Sequence, residues 1–309
     1  MRKVSLTVLM TVYNGMPYLK ESVRSVLEQD DADFTFLVLN NGSVDGSGEF
    51  LDKTAAQRKG CEPRMMVRHL PENIGRSRVL ALGLDLVDSD ITAIIDADDL
   101  AEKGRIGRQR DFFDARPDID LLGSDIIYID THGAEAGREH FPEDHDSLRD
   151  RLPLFNQFAH SACAFRTAPA RAAGGYDPSF PYAQDLALWV AMITRGSRVA
   201  SLAESLARIR VHPGQATRDL ALLMVRASDN HRLAEAMLQM PGLSAASTQA
   251  AYVRSALALW RLGEKKQSLG RIWKAFALRP SLFFRNPMLW QRAAMEWHRR
   301  VKPTRYGTR

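Results

Sequence analysis

Three carboxylates fall within four residues of this sequence, at Asp96, Asp98 and Asp99. They directly follow an apolar run, Ile91–Ile95, whose β-branched residues predict a buried strand. Like charges at this spacing repel one another, and their burial is costly unless a cation lies between them. A divalent metal ion that holds a phosphorylated ligand would remove that cost. The simpler interpretation is that Asp98 or Asp99 only caps the next helix.

Strands and helices alternate along the first third of the chain. Apolar runs predict four strands, at Val4–Val12, Phe34–Leu39, Arg64–His69 and Ile91–Ile95. Helical spacing of apolar residues predicts a helix after each strand, at Tyr18–Gln29, Gly48–Lys59, Gly75–Val87 and Arg105–Arg116. This alternation is typical of βαβ units and a mostly parallel sheet, in which ligands bind at the carboxyl ends of the strands. We therefore expect the polar clusters after three of these strands to converge on one site: Thr11–Asn14, Asn40–Ser43 and Asp96–Asp99.

The pattern is less regular in the middle of the chain. A long β-rich run predicts a strand at Asp120–Ile129, and the polar stretch Thr131–Pro153 is predicted to form loops. The elements predicted after it are a strand at Ala162–Arg166, helices at Thr167–Ala173 and Leu186–Thr194, and strands at Val199–Leu202 and Leu206–Val211. From about Thr217 onward glycine is rare and helical patterns dominate. We predict an α/β domain over residues 1–216 and a helical, basic extension over residues 217–309.

The composition of the 309-residue chain excludes several classes of protein. Hydrophobic residues make up 45% and charged residues 26%, as in soluble globular proteins, and no run of about 18 apolar residues is present to span a membrane. The two cysteines, Cys61 and Cys163, imply no disulfide framework and suit a reducing, cytoplasmic compartment. Residues 261–309 contain 13 Lys and Arg against two acids, so the basic character belongs to this tail. We therefore expect no nucleic acid among the partners.

Six short blocks follow one another in about the first 215 residues. They are Thr11-Val12-Tyr13-Asn14-Gly15, Asn40-Asn41-Gly42-Ser43-Val44-Asp45-Gly46, Asn73-Ile74-Gly75, Asp96-Ala97-Asp98-Asp99, Gly174-Gly175-Tyr176-Asp177 with Gln184–Trp189, and Arg210-Val211-His212. Together they resemble the family 2 glycosyltransferases, and the acidic block resembles the Asp-x-Asp metal motif of that family. The resemblance implies the GT-A nucleotide-sugar-binding fold, a Rossmann-like, mostly parallel sheet flanked by helices, here with a helical C-terminal extension. It also implies an inverting, metal-dependent enzyme that moves a sugar from a nucleotide-sugar, with UDP-sugars favoured, to a hydroxyl acceptor.

The resemblance assigns metal-binding roles to three side chains. Asp98 is expected to be the direct ligand of Mn²⁺ or Mg²⁺, with His212 reaching the metal or the diphosphate. Asp96 would hold the ribose or an ordered water on the metal. Sugar transfer leaves negative charge on the departing diphosphate, and a divalent cation neutralises it as a Lewis acid. Asp99 suits capping of the next helix at least as well as metal ligation.

Further donor-binding residues are expected at the strand ends and at two turns: Thr11, Tyr13, Asn14, Asn41, Arg76, Arg78, Asp96 and Arg210. Tyr13 would lay its ring on the nucleobase. Asn40-Asn41 stands where the family has acids, and a neutral amide makes a weaker bond to the base and can also donate, so the preference for uridine is left open. Arg210 would pair either with a phosphate or with a structural carboxylate.

The acceptor hydroxyl must lose its proton as it attacks the anomeric carbon, which requires a carboxylate opposite the phosphates. By resemblance Asp185 is this catalytic base, and a plain helix N-cap is the alternative. Gln184 precedes it, where the family usually has Glu. His160, just before a predicted strand, would line the acceptor side or have a structural role.

The basic tail suggests where the enzyme works. Helical spacing predicts a pair of helices over residues 249–280, similar to one tetratricopeptide-like unit, which must pack on the α/β domain because it cannot bury its own apolar face. Residues 281–300 mix large aromatic residues with arginines, which suits an anionic membrane surface; docking on the acidic body is the alternative. We expect a saccharide or lipid-linked saccharide acceptor, as in bacterial surface polysaccharide synthesis, and a position at the inner face of the membrane.

Three other functions share parts of this pattern. Phosphatases of the haloacid-dehalogenase type also place Asp-x-Asp after a strand, but near the N-terminus and followed by Thr or Val, whereas Asp99-Leu100 follows here. A nucleotidyltransferase would want a Gly-rich basic loop after the first strand, which Met10–Gly15 lacks. A catalytically inactive sugar-nucleotide binding module fits Asn40-Asn41 but leaves Asp98 and Asp185 unexplained.

Overall fold

The computed structural model describes residues 3–213 and 222–286 of the chain. Its first part alternates strands and helices as the sequence predicts: β1 (Leu6–Val12), α1 (Leu19–Leu27), β2 (Thr35–Asn41), α2 (Ser47–Gln57), β3 (Arg64–Leu70), α3 (Arg76–Leu86) and β4 (Ile91–Ile94). The four strands are parallel and lie in the order β3-β2-β1-β4. The polar clusters that follow β1, β2 and β4 therefore lie along one edge of the sheet.

β1 lies inside the parallel part of the sheet and is apolar on both faces, as such strands require. Alternate side chains pack on opposite sides, Val8 in one apolar cluster with Val23 of α1 and Leu9 in another with Leu80 of α3. Gly83 lets α3 approach closely, because a Cβ there would lie 2.7 Å from Cδ1 of Leu9. This packing holds the first turn of α3 next to the acids that follow β4.

The second part of the sheet mixes strand directions. Its elements are β5 (Leu100–Ala101), α4 (Arg105–Ala115), β6 (Leu121–Ile129), β7 (Glu135–Glu139), α5 (His145–Arg151), β8 (Ala164–Arg166), α6 (Thr167–Ala172), α7 (Gln184–Thr194) and β9 (Val199–Arg210). β8 pairs antiparallel with both β4 and β6, and β9 runs parallel to β6. β5 and β7 pair antiparallel with β9 and β6. The C-terminal end of β9 thereby reaches the edge where β4 ends.

Two expectations for this second part are wrong. The stretch Thr131–Pro153 contains β7 and α5 rather than loops alone. β7 has no fully buried residue, so no alternation of apolar residues marks it in the sequence. α5 does have a sequence signal, an N-cap aspartate: the Asp144 side chain accepts the N–H of Ser147 at 2.9 Å. The two strands predicted over residues 199–211 are a single strand, β9, with irregular pairing opposite Ser124 and Asp125.

The extension consists of α8 (Leu223–Met237), α9 (Ala245–Arg261), α10 (Lys265–Leu278) and α11 (Pro280–Phe283). The expected helix pair corresponds to α9 and α10, and Leu233 and Ala251 share one apolar cluster with Trp189 of α7, so the extension packs on the α/β part. The boundary predicted between residues 216 and 217, and most of Ser281–Arg300, lie outside the described residues. None of the helices in the described ranges is long and apolar enough to cross a bilayer.

The extension also holds the turn that leads into a helix of the α/β part. α7 begins after its N-cap residue Ala183, which has no side-chain cap hydrogen bond. One carboxylate oxygen of Asp229, on α8, accepts the N–H groups of Tyr182 at 3.0 Å and of Ala183 at 3.1 Å, directly before the helix. Asp229 is only 2% exposed, and this burial raises its pKa. The extension therefore stabilises the start of the helix that carries Asp185.

We predict opposite behaviour for two substitutions of Asp229. Asp229→Ala should lower the free energy of unfolding by about 1–2 kcal/mol, because two buried N–H groups lose their acceptor. Asp229→Asn keeps an acceptor oxygen without the charge. Because the raised pKa lets the folded protein keep a proton that the unfolded chain has released, the contribution of Asp229 to stability falls as pH rises above the ordinary value of 3.8. In urea unfolding, the free energy of unfolding of Asp229→Asn relative to wild type should increase as pH rises. A difference between the two proteins that does not change with pH would contradict this account.

Candidate active site

Asp96, Asp98 and Asp99, which we call the acid cluster, lie at the carboxyl end of β4. One carboxylate oxygen from each lies within 4.8 Å of the other two. α4 is the next helix of more than one turn, and its N-cap is Gly104, without a side-chain cap. The interpretation of Asp98 or Asp99 as a simple helix cap is therefore wrong. Three hard oxygen donors in this arrangement fit a divalent cation such as Mg²⁺ or Mn²⁺.

The structure places His212 next to Asp98, and the sequence predicted that both lie at the metal site. Nε2 of His212 lies 2.9 Å from Oδ2 of Asp98, although 114 residues separate them in the chain. The imidazole of His212 also packs against Tyr18, with ring centroids 4.9 Å apart. The segment after β9 thus brings an imidazole nitrogen to the acid cluster, and carboxylate oxygens with an imidazole nitrogen are a donor set that suits Mn²⁺.

Asp96 lies between two basic side chains. Its Oδ2 accepts a hydrogen bond from the Arg76 guanidinium at 2.6 Å, and its Oδ1 lies 3.1 Å from Nδ1 of His160. Burial alone would raise the pKa of Asp96, but Arg76 and His160 outweigh it and hold that pKa well below its usual range. Asp96 is therefore ionised and fixed in orientation. Sequence reasoning had considered His160 but not this contact.

Asp99 is the buried member of the acid cluster, at 4% exposed. Oδ1 accepts the backbone N–H of Arg210 at 2.8 Å, and Oδ2 accepts the hydroxyl of Ser161. Burial, together with the charges of Asp98 and Asp96, raises the pKa of Asp99 well above its ordinary value. A carboxylate under this repulsion is the group that a nearby cation would relieve.

Arg210 is fully buried, and the structure turns its guanidinium toward protein groups. It donates to the Glu21 carboxylate at 2.7 Å and to the backbone carbonyls of Asp98 at 3.0 Å and Asp130 at 3.2 Å. It also stacks over the Tyr18 ring, with 4.7 Å between the guanidinium carbon and the ring centroid. These contacts match the structural alternative stated for Arg210, and its phosphate contact stays a prediction. The arginine fixes the strand end that delivers His212.

The ends of β1 and β2 form the side of the site next to the acid cluster. Tyr13 is 51% exposed, and Thr11 is partly exposed on β1. Asn14 adopts a left-handed backbone, with φ of 49°, and its side chain accepts the N–H of Val44 at 2.9 Å. Its own N–H donates to the Ser43 hydroxyl at 2.9 Å. The first two polar clusters therefore lock together and leave the Tyr13 ring accessible for stacking.

The unusual Asn40-Asn41 pair has a structural explanation. Asn41 is buried, accepts the N–H of Ile74 at 3.0 Å and donates to the side-chain oxygen of Asn73 at 2.9 Å. A carboxylate at position 41 would lack the donor for Asn73. Asn40 donates to Nδ1 of His69 at 3.0 Å. Asn41 thus ties β2 to the turn before α3, Asn40 ties it to β3, and a contact from Asn41 to a nucleobase stays a prediction.

Asp185 lies in the first turn of α7, two residues after the N-cap Ala183, so the N-cap alternative for Asp185 is wrong. Its Oδ2 accepts a hydrogen bond from Nδ2 of Asn156 at 2.7 Å. Sequence reasoning missed Asn156, because only the fold places residue 156 beside residue 185.

Arg76 connects the two sides of the site. The Gln184 amide is oriented so that its nitrogen donates to the Tyr182 carbonyl. Its oxygen then accepts a hydrogen bond from Nε of Arg76 at 3.0 Å. The other end of the same guanidinium binds Asp96, and that carboxylate raises the pKa of Arg76, with a further contribution from Asp185. Arg78, two residues further along α3, is exposed. The predicted acids from β4 and α7 therefore meet in one site.

The family model for glycosyl transferase family 2 matches residues 7–171, just over half of the chain. The chain therefore belongs to glycosyl transferase family 2 and is a glycosyltransferase. It is 28% identical over 207 residues to the amylovoran biosynthesis glycosyltransferase AmsE of Erwinia amylovora, an alignment that covers 66% of this chain and 75% of AmsE.

Two solved structures show the same architecture. Residues 1–349 of S. aureus TarS in complex with UDP-GlcNAc match with a TM-score of 0.68 at 17% identity, over 97% of this chain and 93% of that one. The mannosyltransferase PcManGT of Pyrobaculum calidifontis, in complex with GDP-Man and Mn²⁺, matches with a TM-score of 0.63 at 15% identity, over 98% and 89% of the two chains. The predicted GT-A fold is thereby confirmed.

We predict that Arg210 is irreplaceable by lysine. Arg210→Lys should lower the free energy of unfolding by about 2–3 kcal/mol, because an ammonium cannot serve Glu21 and two buried carbonyls at once. Arg208→Lys is the matched control on the same strand, since Arg208 is half-exposed and pairs with Glu102 at the surface; its cost should stay below about 1 kcal/mol. Chemical unfolding measures both, and equal losses would refute the structural role of Arg210.

Proposed function

We propose that this glycosyltransferase is an inverting, metal-dependent enzyme that transfers a sugar from a nucleotide-sugar, with UDP-sugars favoured, to a hydroxyl of a saccharide or lipid-linked saccharide. The observation that carries the proposal is the single guanidinium of Arg76 between Asp96 of the acid cluster and Gln184, the neighbour of Asp185. This contact supports the view that the donor phosphates, near Asp96, and the acceptor, near Asp185, bind in the same pocket. The name of AmsE supports a role in surface polysaccharide synthesis.

The donor would occupy the edge formed by β1, β2 and β4. Asp98 and His212 would hold Mn²⁺ or Mg²⁺, while Asp96 would hold the ribose or a water on the metal. When bound, the cation would neutralise charge on the leaving diphosphate. Arg76 and Arg78 would bind phosphate oxygens, and Arg210 would act through the strand end that it holds. At the nucleobase end, Tyr13 would stack on the ring, with polar contacts from Thr11, Asn14 and Asn41.

Asp185 would take the proton from the acceptor hydroxyl as that oxygen attacks the anomeric carbon. It lies in the first turn of α7, and the amide of Asn156 donates to its Oδ2 at 2.7 Å. One carboxylate that faces the leaving group across the sugar supports direct displacement, which turns an α-linked donor into a β-linked product. The α/β domain would end near residue 216, with the helical extension holding α7 through Asp229.

The proposal predicts different losses for two isosteric substitutions. With a panel of nucleotide-sugars and Mn²⁺, Asp185→Asn should lower kcat by at least about 100-fold, because the hydroxyl loses its base, while UDP affinity stays the same. Asp98→Asn should weaken UDP binding only when Mn²⁺ is present. Asp111→Asn, an exposed acid on α4, is the control and should behave as wild type. Full activity of Asp185→Asn would refute the base, and UDP binding by Asp98→Asn as tight as that of wild type in the presence of Mn²⁺ would refute the metal site.

We further propose that the extension binds an anionic membrane at its inner face. Exposed apolar side chains lie on α10 and just beyond α11: Leu269 at 62%, Trp273 at 66% and Phe284 at 65%. Two exposed lysines stand near them in the sequence, Lys266 before Leu269 and Lys274 directly after Trp273. Large apolar groups among cations suit the interface of a bilayer that contains acidic lipids.

Sedimentation of the full-length protein with vesicles tests the membrane proposal. The double variant Trp273→Ala with Phe284→Ala should bind phosphatidylglycerol vesicles at least about tenfold more weakly than wild type, because two large apolar side chains are lost from the interface. The control carries Leu223→Ala and Met224→Ala, which are similarly exposed on α8. Equal binding by the two double variants, or equal binding to neutral phosphatidylcholine vesicles, would overturn the proposal.

A further inference from the structure

One short segment contacts both the acid cluster and the proposed base. It runs from Asn156 to Ser161, and we call it the bridge segment. Asn156 binds Asp185 at its start, whereas His160 and Ser161 bind the acid cluster at its end. Neither contact was evident from the sequence, because both partners lie far from the segment in the chain.

At its start, the bridge segment presents a fixed hydrogen-bond donor. The side-chain oxygen of Asn156 accepts the N–H of Phe158 at 3.1 Å, which determines the orientation of the amide. The amide nitrogen therefore faces Asp185 and donates to Oδ2 at 2.7 Å. A bond to one carboxylate oxygen restricts rotation of the carboxylate, so it directs Oδ1 of Asp185 as well.

At its end, the bridge segment holds Asp96 in two ways. The Ser161 hydroxyl oxygen accepts the backbone N–H of Asp96 at 3.0 Å. Nδ1 of His160 lies 3.1 Å from Oδ1 of Asp96, and Nε2 lies 3.0 Å from the Tyr176 hydroxyl. An ionised carboxylate can only accept, so Nδ1 carries hydrogen and donates to Asp96. In the neutral ring with hydrogen on Nδ1, Nε2 of His160 is the acceptor for the Tyr176 hydroxyl.

The middle of the bridge segment is anchored by Phe158. Its ring is 1% exposed and packs against Trp189 of α7, with centroids 6.3 Å apart. A Cβ on Gly123 of β6 would lie 2.9 Å from Cδ1 of Phe158, so the ring fits tightly against the sheet. Because the segment is packed at its centre and hydrogen-bonded at both ends, the distance between its two ends is fixed.

We propose that the bridge segment sets the distance between the base and the donor side, with Asn156 as positioning residue for Asp185 and His160 as positioning residue for Asp96. The inference rests on the proposed function of those two acids. Tyr176 belongs to the acceptor-side block Gly174-Gly175-Tyr176-Asp177, so the chain from Tyr176 through His160 to Asp96 joins the two halves a second time. Base and leaving group must act in one geometry, and a displacement of about 1 Å can cost about 100-fold in rate.

Steady-state kinetics on full-length variants tests the two ends separately. Asn156→Ala and the isosteric Asn156→Leu, which has no hydrogen-bond donor, should each lower kcat about 10- to 100-fold and leave donor KM unchanged. His160→Ala should raise donor KM about tenfold, with a matching loss of UDP affinity by calorimetry. His160→Gln, which keeps a donor for Asp96, should recover part of that affinity.

Gln157→Ala is the matched control, because Gln157 is also buried in the bridge segment but donates to the Phe155 carbonyl instead of an acid. It should lower the melting temperature as much as the other variants without changing kcat or donor KM. Sugar transfer by wild type tests the proposed function on its own. With wild type active, unchanged kinetics in the Asn156 and His160 variants would overturn the inference. The same kinetic losses in Gln157→Ala would also overturn it, since they would reflect general loosening.

Discussion

The repulsion among three carboxylates at the end of β4 is the constraint on which the rest of the site depends. Asp96, Asp98 and Asp99 are held together although like charges at this distance oppose one another. The fold compensates with cationic or hydrogen-bonding partners from α3, β9 and the bridge segment. Each acid has a different partner and therefore a different role. Asp96 is fixed by Arg76, Asp98 faces His212, and Asp99 is buried against the backbone of β9. The arrangement suits the binding of a cation and its diphosphate.

The partners of these acids arrive from distant parts of the chain, and this links the site to the whole fold. His212 reaches Asp98 because β9 pairs with β5, which directly follows the acid cluster, with Leu100 opposite Arg208. Arg210 holds that end through Glu21 on α1. On the opposite side, Asp229 of the extension holds the turn that leads into the helix carrying Asp185. The extension is therefore part of the support of the site, in addition to any role at a membrane.

Local patterns were enough to predict the parallel strands and the convergence of their polar ends. Alternating apolar runs and helical spacing are set by a few neighbouring residues, and the order of the motif blocks identified the acids and Asp185. The sequence did not predict the contacts of Asn156 and Asp229, because each depends on two elements meeting in space. β7 escaped prediction because it buries no residue fully. Arg210 showed how a motif residue can be fixed by structural contacts, which its neighbours in sequence do not reveal.

A crystal structure of the full-length protein with UDP and Mn²⁺, with manganese located by its anomalous scattering, tests the central claim most directly. The account predicts manganese at about 2.2 Å from a carboxylate oxygen of Asp98 and next to His212, with the diphosphate toward Arg76 and with Asp185 across the space left for the sugar. Manganese away from the acid cluster, or UDP bound at the other edge of the sheet between Arg64 and Arg68, would contradict it.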